Sequence, residues 1–264
     1  MTAPAATFFL LVFALSVPFY LLGAIGGRLP GLPILPVSAL MTFVPIAAAM
    51  ILIYRQHGSA GIAASFRRAV DSIRPKDSGW YLVALLFPPA VCALEFGILR
   101  FTGTAVPFPQ IALSDVAFLF LAFFVGAVGE EFGWQGYAYP ALKTRLNALT
   151  AALVIGVIWA LWHVIPFSEL GRSTSWILWH SLCAVALRVI IVWLFQNAGK
   201  SVFVAVLFHT MINVSWALFP VSGSYYDPFV AFEILLFAAA LIVFAWGPSE
   251  LGRFRFGENN KQDA

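Results

Sequence analysis

Two neighbouring carboxylic acids, Glu130 and Glu131, closely follow residues 116–128, a stretch of almost unbroken phenylalanine, leucine, alanine and valine. An acid placed inside a membrane-spanning segment costs on the order of 3 kcal/mol, so it tends to face a partner or a hydrated cavity. Adjacent residues on a helix point about 100° apart, which predicts different roles for the two acids. Glu131 and Gln135 are spaced i, i+4, and we expect the Gln135 amide to donate a hydrogen bond to Glu131. Glu130 is then the freer acid.

His163 and His209 are the other side chains with suitable acid–base chemistry in this part of the chain. Trp159 precedes His163 by one helical turn, and either it or Trp162 is predicted to pack against the imidazole and to keep lipid away from it. His209 and Asn213 are also spaced i, i+4, so they present an imidazole and an amide to the same space. The pattern predicts one pocket that these residues share with the acids.

Four further ionisable groups, Glu95, His180, Arg188 and Glu233, lie within apolar segments. Arg188 and Glu233 are predicted to form a structural ion pair, and Glu95 to reach water near its helix end. His180 has no neighbour in sequence that supports a catalytic role, so we interpret it as an interhelical hydrogen-bond partner.

The composition identifies the elements that must position these side chains. The chain has 264 residues, of which 61% are hydrophobic and only 10% charged, whereas soluble proteins are about 25% charged. Eight apolar runs are long enough for helices that cross a hydrocarbon core about 30 Å thick: 5–25, 37–54, 80–99, 116–137, 148–167, 176–195, 202–219 and 229–246. We therefore predict an all-α, polytopic integral membrane protein, a bundle of about eight transmembrane helices. Residues 1–247 would form the membrane domain and residues 248–264 a polar cytoplasmic tail.

The basic residues predict the orientation. Eleven of them lie in loops on the side of the termini and three on the other side, which predicts that both termini are cytoplasmic. We expect the membrane itself to be a bacterial plasma membrane. The net charge of +3 is therefore a topology signal, and no nucleic-acid partner is indicated. Within the cytoplasmic loop, residues 60–73 could form a surface helix on the anionic leaflet, although a simple charge anchor is the favoured interpretation. Cys92 and Cys183 form neither a disulfide framework nor a CxxC pair, and we interpret them as small buried side chains.

Glycines make close helix packing possible around the acids. Gly129, Gly133 and Gly136 leave little side-chain bulk on the fourth predicted helix, so another helix can approach it closely. Glu130 and Glu131 on that helix, His163 on the fifth and His209 on the seventh would then enclose one water-filled chamber. We expect this chamber to open to the cytoplasm.

Three ordered motifs resemble a known family. They are Glu130-Glu131-Phe132-Gly133-Trp134-Gln135, then Trp159-Ala160-Leu161-Trp162-His163, then His209-Thr210-Met211-Ile212-Asn213. This set is similar to the EExxxR, FxxxH and HxxxN motifs of the CPBP family. That family comprises the CAAX protease and bacteriocin-processing (Abi) intramembrane proteases, including the type II CAAX prenyl endopeptidases. Two positions depart from the pattern, since Trp159 replaces phenylalanine and Gln135 replaces arginine. Arg188 and Arg145 are candidates for supplying the missing positive charge.

The resemblance implies hydrolysis of a peptide bond in a protein or peptide substrate at the lipid bilayer. In the favoured mechanism Glu130, helped by His163, takes a proton from the attacking water, and Glu131 supports it. His209 and Asn213 then donate hydrogen bonds to the oxyanion. Gln135 and Trp159 have supporting roles, and no cofactor is needed.

Two alternatives stay open. Glu130, His163 and His209 are a plausible two-histidine, one-carboxylate zinc set, although no HExxH motif fixes two ligands on one helix. The other is a catalytically impaired membrane scaffold or immunity protein, in which loss of the motif arginine marks loss of activity.

Overall fold

The computed structural model describes residues 2–71, 79–252 and 254–255. All eight apolar runs are helical, which confirms the predicted all-α, polytopic membrane fold. The helices are α1 Ala3–Ile25, α2 Val44–Asp71, α3 Gly79–Phe101, α4 Leu113–Gly133, α5 Tyr139–Lys143, α6 Ala148–Glu169, α7 Thr174–Asn197, α8 Val202–Leu218 and α9 Pro228–Trp246. Seven helical stretches in the described part of the chain are long and apolar enough to cross a membrane, and α8 is a shorter apolar helix. Two short strands, β1 Arg28–Leu29 and β2 Leu32–Pro36, form an antiparallel hairpin after α1.

The helix that carries the acids is longer than predicted. After α4, a π-helical turn, Trp134–Ala138, leads directly into α5, so the helical stretch runs over 31 residues from Leu113 to Lys143. Pro140 lacks an N–H group and cannot continue the α-helical bonding pattern, and this turn with its wider i to i−5 bond precedes it. Glu130 consequently lies near the middle of the stretch, close to the depth of His209 in the middle of α8.

The second apolar run begins as a 3₁₀ helix, Val37–Phe43, and becomes α-helical at Val44. Pro45 has no N–H to donate to residue 41, which is one reason why the α-helical pattern starts so late. Helix α2 then continues past the predicted end to Asp71, with a kink at Gly58, where φ is +62°. Residues 60–71 of the candidate surface helix are therefore helical, and residues 72 and 73 lie outside the described residues.

Both termini lie at the same end of the bundle. Thr2 donates a hydrogen bond to the Ala141 carbonyl at 3.2 Å, and Lys143 pairs with Glu250 at 2.8 Å. Of the predicted tail, residues 248–252 and 254–255 are described, and within them Leu251 is fully buried. Arg253 and residues 256–264 lie outside the described residues, so the polar tail stays a prediction there.

Helix α7 occupies the centre of the bundle. Every residue from 186 to 195 is buried, and the helix packs against α6 on one side and α9 on the other. A charged side chain in this run has no route to water. Arg188 is therefore expected to contact a buried acid, because an isolated buried charge is strongly unfavourable.

Candidate active site

A cavity of about 320 Å³ lies among the helices and is lined chiefly by apolar side chains. Four of the five predicted catalytic residues, from α4, α6 and α8, line it, namely Glu130, His163, His209 and Asn213, and so does the predicted supporting residue Trp159. The structure therefore brings these residues to one space, as the sequence predicted. Glu131 and Gln135 do not line it.

Glu130 is buried, with 6% of its surface exposed, and each carboxylate oxygen has its own donor. The indole N–H of Trp159 lies 2.7 Å from Oε2, and the Thr42 hydroxyl lies 3.1 Å from Oε1. Trp159 was expected to act only as an aromatic wall. A phenylalanine at this position, as in the family motif, has no N–H and could not make the first bond.

His163 is oriented by the same tryptophan. Its Nδ1 lies 2.9 Å from the Trp159 carbonyl, and the two rings meet edge to face at 5.3 Å between centroids. A carbonyl oxygen only accepts hydrogen bonds, so the proton is assigned to Nδ1 and Nε2 of the neutral ring keeps its lone pair. His163 is therefore equipped to accept a proton or a hydrogen bond through Nε2.

Glu131 holds two partners from other helices and is completely buried. The Arg188 guanidinium lies 2.7 Å from its Oε2, and Nδ1 of His209 lies 2.8 Å from its Oε1. The Arg188 guanidinium also lies 4.5 Å from the centre of the Trp159 ring, and the rings of Trp159 and His209 meet edge to face at 5.3 Å. Glu131 thus joins α4 to α7 and α8 and bonds the His209 imidazole.

Two predicted pairings are wrong. Gln135 is fully buried, and neither its amide nitrogen nor its oxygen has a hydrogen-bond partner among the described residues, so it does not bond Glu131. The i, i+4 rule assumes α-helical geometry, whereas Gln135 lies in the π-helical turn. Arg188 pairs with Glu131 and not with Glu233, whose side chain is exposed on α9. The missing motif charge is therefore supplied from α7.

Two other expectations for intramembrane groups differ from the structure. Glu95 is completely buried and accepts a hydrogen bond from the Asp227 backbone N–H at 2.7 Å, so it does not reach water. His180 lines the same cavity as the four predicted site residues. It stacks on Trp176 at 4.7 Å between ring centroids, a position that its sequence neighbours did not indicate.

The element that approaches the glycines of α4 is the start of the second apolar run. A β-carbon at Gly129 would lie 2.6 Å from the Thr42 carbonyl oxygen, and one at Gly133 would lie 2.6 Å from the Pro45 backbone. At Gly136 the nearest atom would be 3.8 Å away, an ordinary contact. The close approach predicted at Gly129 and Gly133 is confirmed, whereas the one at Gly136 is wrong. Thr42 reaches Glu130 through this contact, which no motif or spacing in the sequence indicates.

The cavity extends towards the end of the bundle opposite the termini. Hairpin residues Leu29, Leu32 and Leu35 line it, together with Leu170 and Tyr226 from connections at that same end. These lining residues indicate an opening at the end opposite the termini, whereas we expected one on the side of the termini.

A zinc ion does not fit the residues in their present arrangement. The described residues contain no group of three histidine, cysteine, aspartate or glutamate side chains placed to hold a metal. Glu130, His163 and His209 are arranged around the Trp159 side chain, which bonds the first and packs against the other two.

The chain shares sequence with known proteins. Residues 112–215 match the family model described as type II CAAX prenyl endopeptidase Rce1-like. CAAX prenyl protease 2 of Methanococcus maripaludis is 27% identical over 176 residues, covering 61% of this chain and 64% of that protein. Lysostaphin resistance protein A of Staphylococcus epidermidis is 26% identical over 137 residues, covering 50% of this chain and 34% of that protein.

The match thus spans less than two thirds of either relative. The matched region 112–215 contains Glu130, His163, His209 and Asn213, the four cavity residues that carry the predicted chemistry. The resemblance predicted from the ordered motifs is therefore confirmed: this chain is similar to the type II CAAX prenyl endopeptidases of the CPBP family, with the likeness centred on the site.

Proposed function

We propose that this protein is an intramembrane endopeptidase that hydrolyses a peptide bond in a membrane-associated protein or peptide. The observation that carries the proposal is the single cavity lined by Glu130, His163, His209 and Asn213 from three different helices. Polar and ionisable side chains are energetically costly to place inside a bilayer, and those found there usually have a function.

Glu130 and His163 activate water in this mechanism. The Glu130 carboxylate takes a proton from a water molecule, and the water oxygen forms a bond to the carbonyl carbon of the substrate. His163 orients the same water by accepting its second hydrogen bond at Nε2. The proton then passes from Glu130 to the leaving amide nitrogen as the carbon–nitrogen bond breaks, so no covalent intermediate with the protein forms.

His209 and Asn213 stabilise the oxyanion. The Asn213 amide donates without any change in protonation. His209 uses its Nδ1 proton for Glu131 at 2.8 Å, so donation to the oxyanion from Nε2 requires the imidazolium form. The Glu131 carboxylate contacts this imidazole through Oε1 and the Arg188 guanidinium through Oε2. An oxyanion donor contributes about 3 kcal/mol in hydrolases where one has been removed.

The cavity walls favour a substrate that is itself apolar. Phe87, Phe123 and Leu235 are among the side chains that line the same cavity as Glu130. A relative is named CAAX prenyl protease 2, and a prenylated CAAX peptide combines a peptide bond with an apolar chain of suitable character. We propose such a peptide as the first substrate to test.

The impaired-scaffold alternative depended on a missing cation beside Glu131. Arg188 supplies a guanidinium there at 2.7 Å, which weakens the reason for expecting lost activity. The zinc alternative predicts tightly bound metal in stoichiometric amount.

The test uses purified protein in liposomes with a quenched, prenylated CAAX peptide. Wild type is expected to cleave it, and Glu130→Gln to lose at least about a hundredfold in turnover, the scale of a lost general base. Glu233→Gln is the matched control, since it removes an exposed acid from α9. Metal analysis and chelator treatment accompany the assay. Stoichiometric zinc with chelator-sensitive cleavage would replace the metal-free mechanism with the zinc mechanism.

A further inference from the structure

Thr42 lies outside residues 112–215, which match the family model, and yet it contacts the proposed general base. It belongs to the 3₁₀ helix Val37–Phe43 and lines the cavity. Its Oγ1 lies 3.1 Å from Glu130 Oε1 and 3.0 Å from the carbonyl oxygen of Gly126.

The Thr42 hydroxyl has one proton for these two acceptors. When Glu130 is ionised, the hydroxyl can donate to Oε1. When Glu130 carries a proton on Oε1, the carboxyl can donate to Oγ1, and the hydroxyl can turn its own proton towards the Gly126 carbonyl. The same three atoms therefore offer a complete hydrogen-bond arrangement for both protonation states of the carboxyl group.

Trp159 cannot adapt in this way. An indole N–H only donates, so Oε2 remains an acceptor in both states. A proton taken up by Glu130 is therefore directed to Oε1, on the Thr42 side. The two donors distinguish the two oxygens of one carboxylate.

The 3₁₀ helix is held firmly enough for this role. On one side, the absence of side chains at Gly126, Gly129 and Gly133 lets it pack directly on α4, where added β-carbons would meet Thr42 or its neighbours. Near its other end, the Ser38 hydroxyl donates to Glu169 at the end of α6. Thr42 is thus fixed relative to both helices that carry Glu130 and His163.

We propose that Thr42 is a positioning residue for Glu130, which holds the carboxyl group in one orientation while it accepts and returns the proton. This inference rests on the proposed function. It adds a fourth segment of the chain, ahead of the sequence motifs, to the site.

Thr42→Val removes the hydroxyl at similar side-chain size, and Thr42→Ser retains it. In the liposome assay with the prenylated CAAX peptide, we expect Thr42→Val to lower kcat about tenfold with KM within about twofold, because the interaction acts on the proton-transfer step. Thr42→Ser should recover most of kcat. Thr210→Val is the control, because the buried Thr210 hydroxyl donates to the Val206 carbonyl of its own helix, its one partner among the described residues, and Thr210 does not line the cavity.

Infrared difference spectroscopy tests the contact without any substrate. The Glu130 carboxyl band is identified by its loss in Glu130→Gln, and Thr42→Val should shift it, whereas Thr42→Ser and Thr210→Val should not. Gel filtration checks that each variant is folded, and Thr42→Ala serves if Thr42→Val aggregates.

An unshifted band in folded Thr42→Val or Thr42→Ala overturns the inference, and so does a shifted band with unchanged kcat. Cleavage that survives Glu130→Gln overturns instead the proposed function on which the inference depends. A shifted band, a lower kcat and recovery by serine together support it.

Discussion

At the residue scale, the cation that contacts Glu131 comes from a different position than the family motif suggests. Gln135 occupies the motif position without a partner among the described residues, and Arg188 reaches Glu131 from α7. An ion pair with both side chains at 0% exposure is worth little net stability, but loss of one partner leaves a buried charge uncompensated.

We therefore predict that Arg188→Gln lowers the free energy of unfolding by about 3 kcal/mol. Glu131→Gln combined with Arg188→Gln should cost less than the sum of the two single changes, because neither charge is then left alone. Denaturation of the purified variants in detergent measures the coupling. Additive losses would mean that the two charges do not depend on each other.

Replacement of Gln135, unlike that of Arg188, is not expected to lower the stability of the protein. Gln135→Met keeps a similar size and removes two unpaired buried polar atoms, so we predict unchanged or higher stability, by about 1 kcal/mol. Turnover should persist, since Arg188 supplies the charge. Gln196→Met is the control and should lose stability, because that amide donates to the Glu250 carbonyl at 2.9 Å. A loss of turnover beyond tenfold in Gln135→Met would assign Gln135 a role that its contacts do not show.

Sequence spacing predicted which residues share the cavity but not all of their bonds. Glu130, His163, His209 and Asn213 were found because polar groups are costly in apolar helices. The predicted hydrogen bond from Gln135 to Glu131 is absent because the chain changes from α-helix to π-helix at Trp134. Arg188 was a candidate only, since pairing between distant helices leaves no local signal.

At the element scale, the contact between α4 and the start of the second apolar run sets the position of Thr42. Gly129 and Gly133 make this contact possible, because neither has a side chain.

Gly133→Ala should destabilise the protein by about 2 kcal/mol, because the new methyl group would lie 2.6 Å from the Pro45 backbone. Gly136→Ala is the matched control, with its nearest neighbour at 3.8 Å. Thermal unfolding of both variants in detergent provides the comparison. Equal stability would show that this helix contact is looser than the structure indicates.

The helices themselves were predictable because a bilayer requires long apolar runs with internally satisfied backbones. Their interruptions were not. The 3₁₀ helix before Pro45 and the π-helical turn before Pro140 lie within apolar runs, so hydropathy does not register them. The kink at Gly58 lies in a polar stretch beyond the second apolar run, where hydropathy predicts no helix.

For the whole molecule, the excess of basic residues in loops at the end of the termini predicts that this end is cytoplasmic. Thr144 and Thr104 are exposed at opposite ends of the bundle. In a background without Cys92 and Cys183, we expect a membrane-impermeant maleimide to label Thr144→Cys only from the cytoplasmic face and Thr104→Cys only from the other face. Reversed labelling in oriented vesicles would invert the predicted topology.

The central claim is that the protein hydrolyses peptide bonds and that Glu130, inside the membrane, is the general base. Quantitative mapping of new peptide N-termini in membranes of cells that carry wild type, Glu130→Gln or Glu233→Gln at equal expression tests it most directly. We predict a set of cleavage products that is present with wild type and Glu233→Gln and absent with Glu130→Gln. Identical sets of N-termini in all three membranes would contradict the claim.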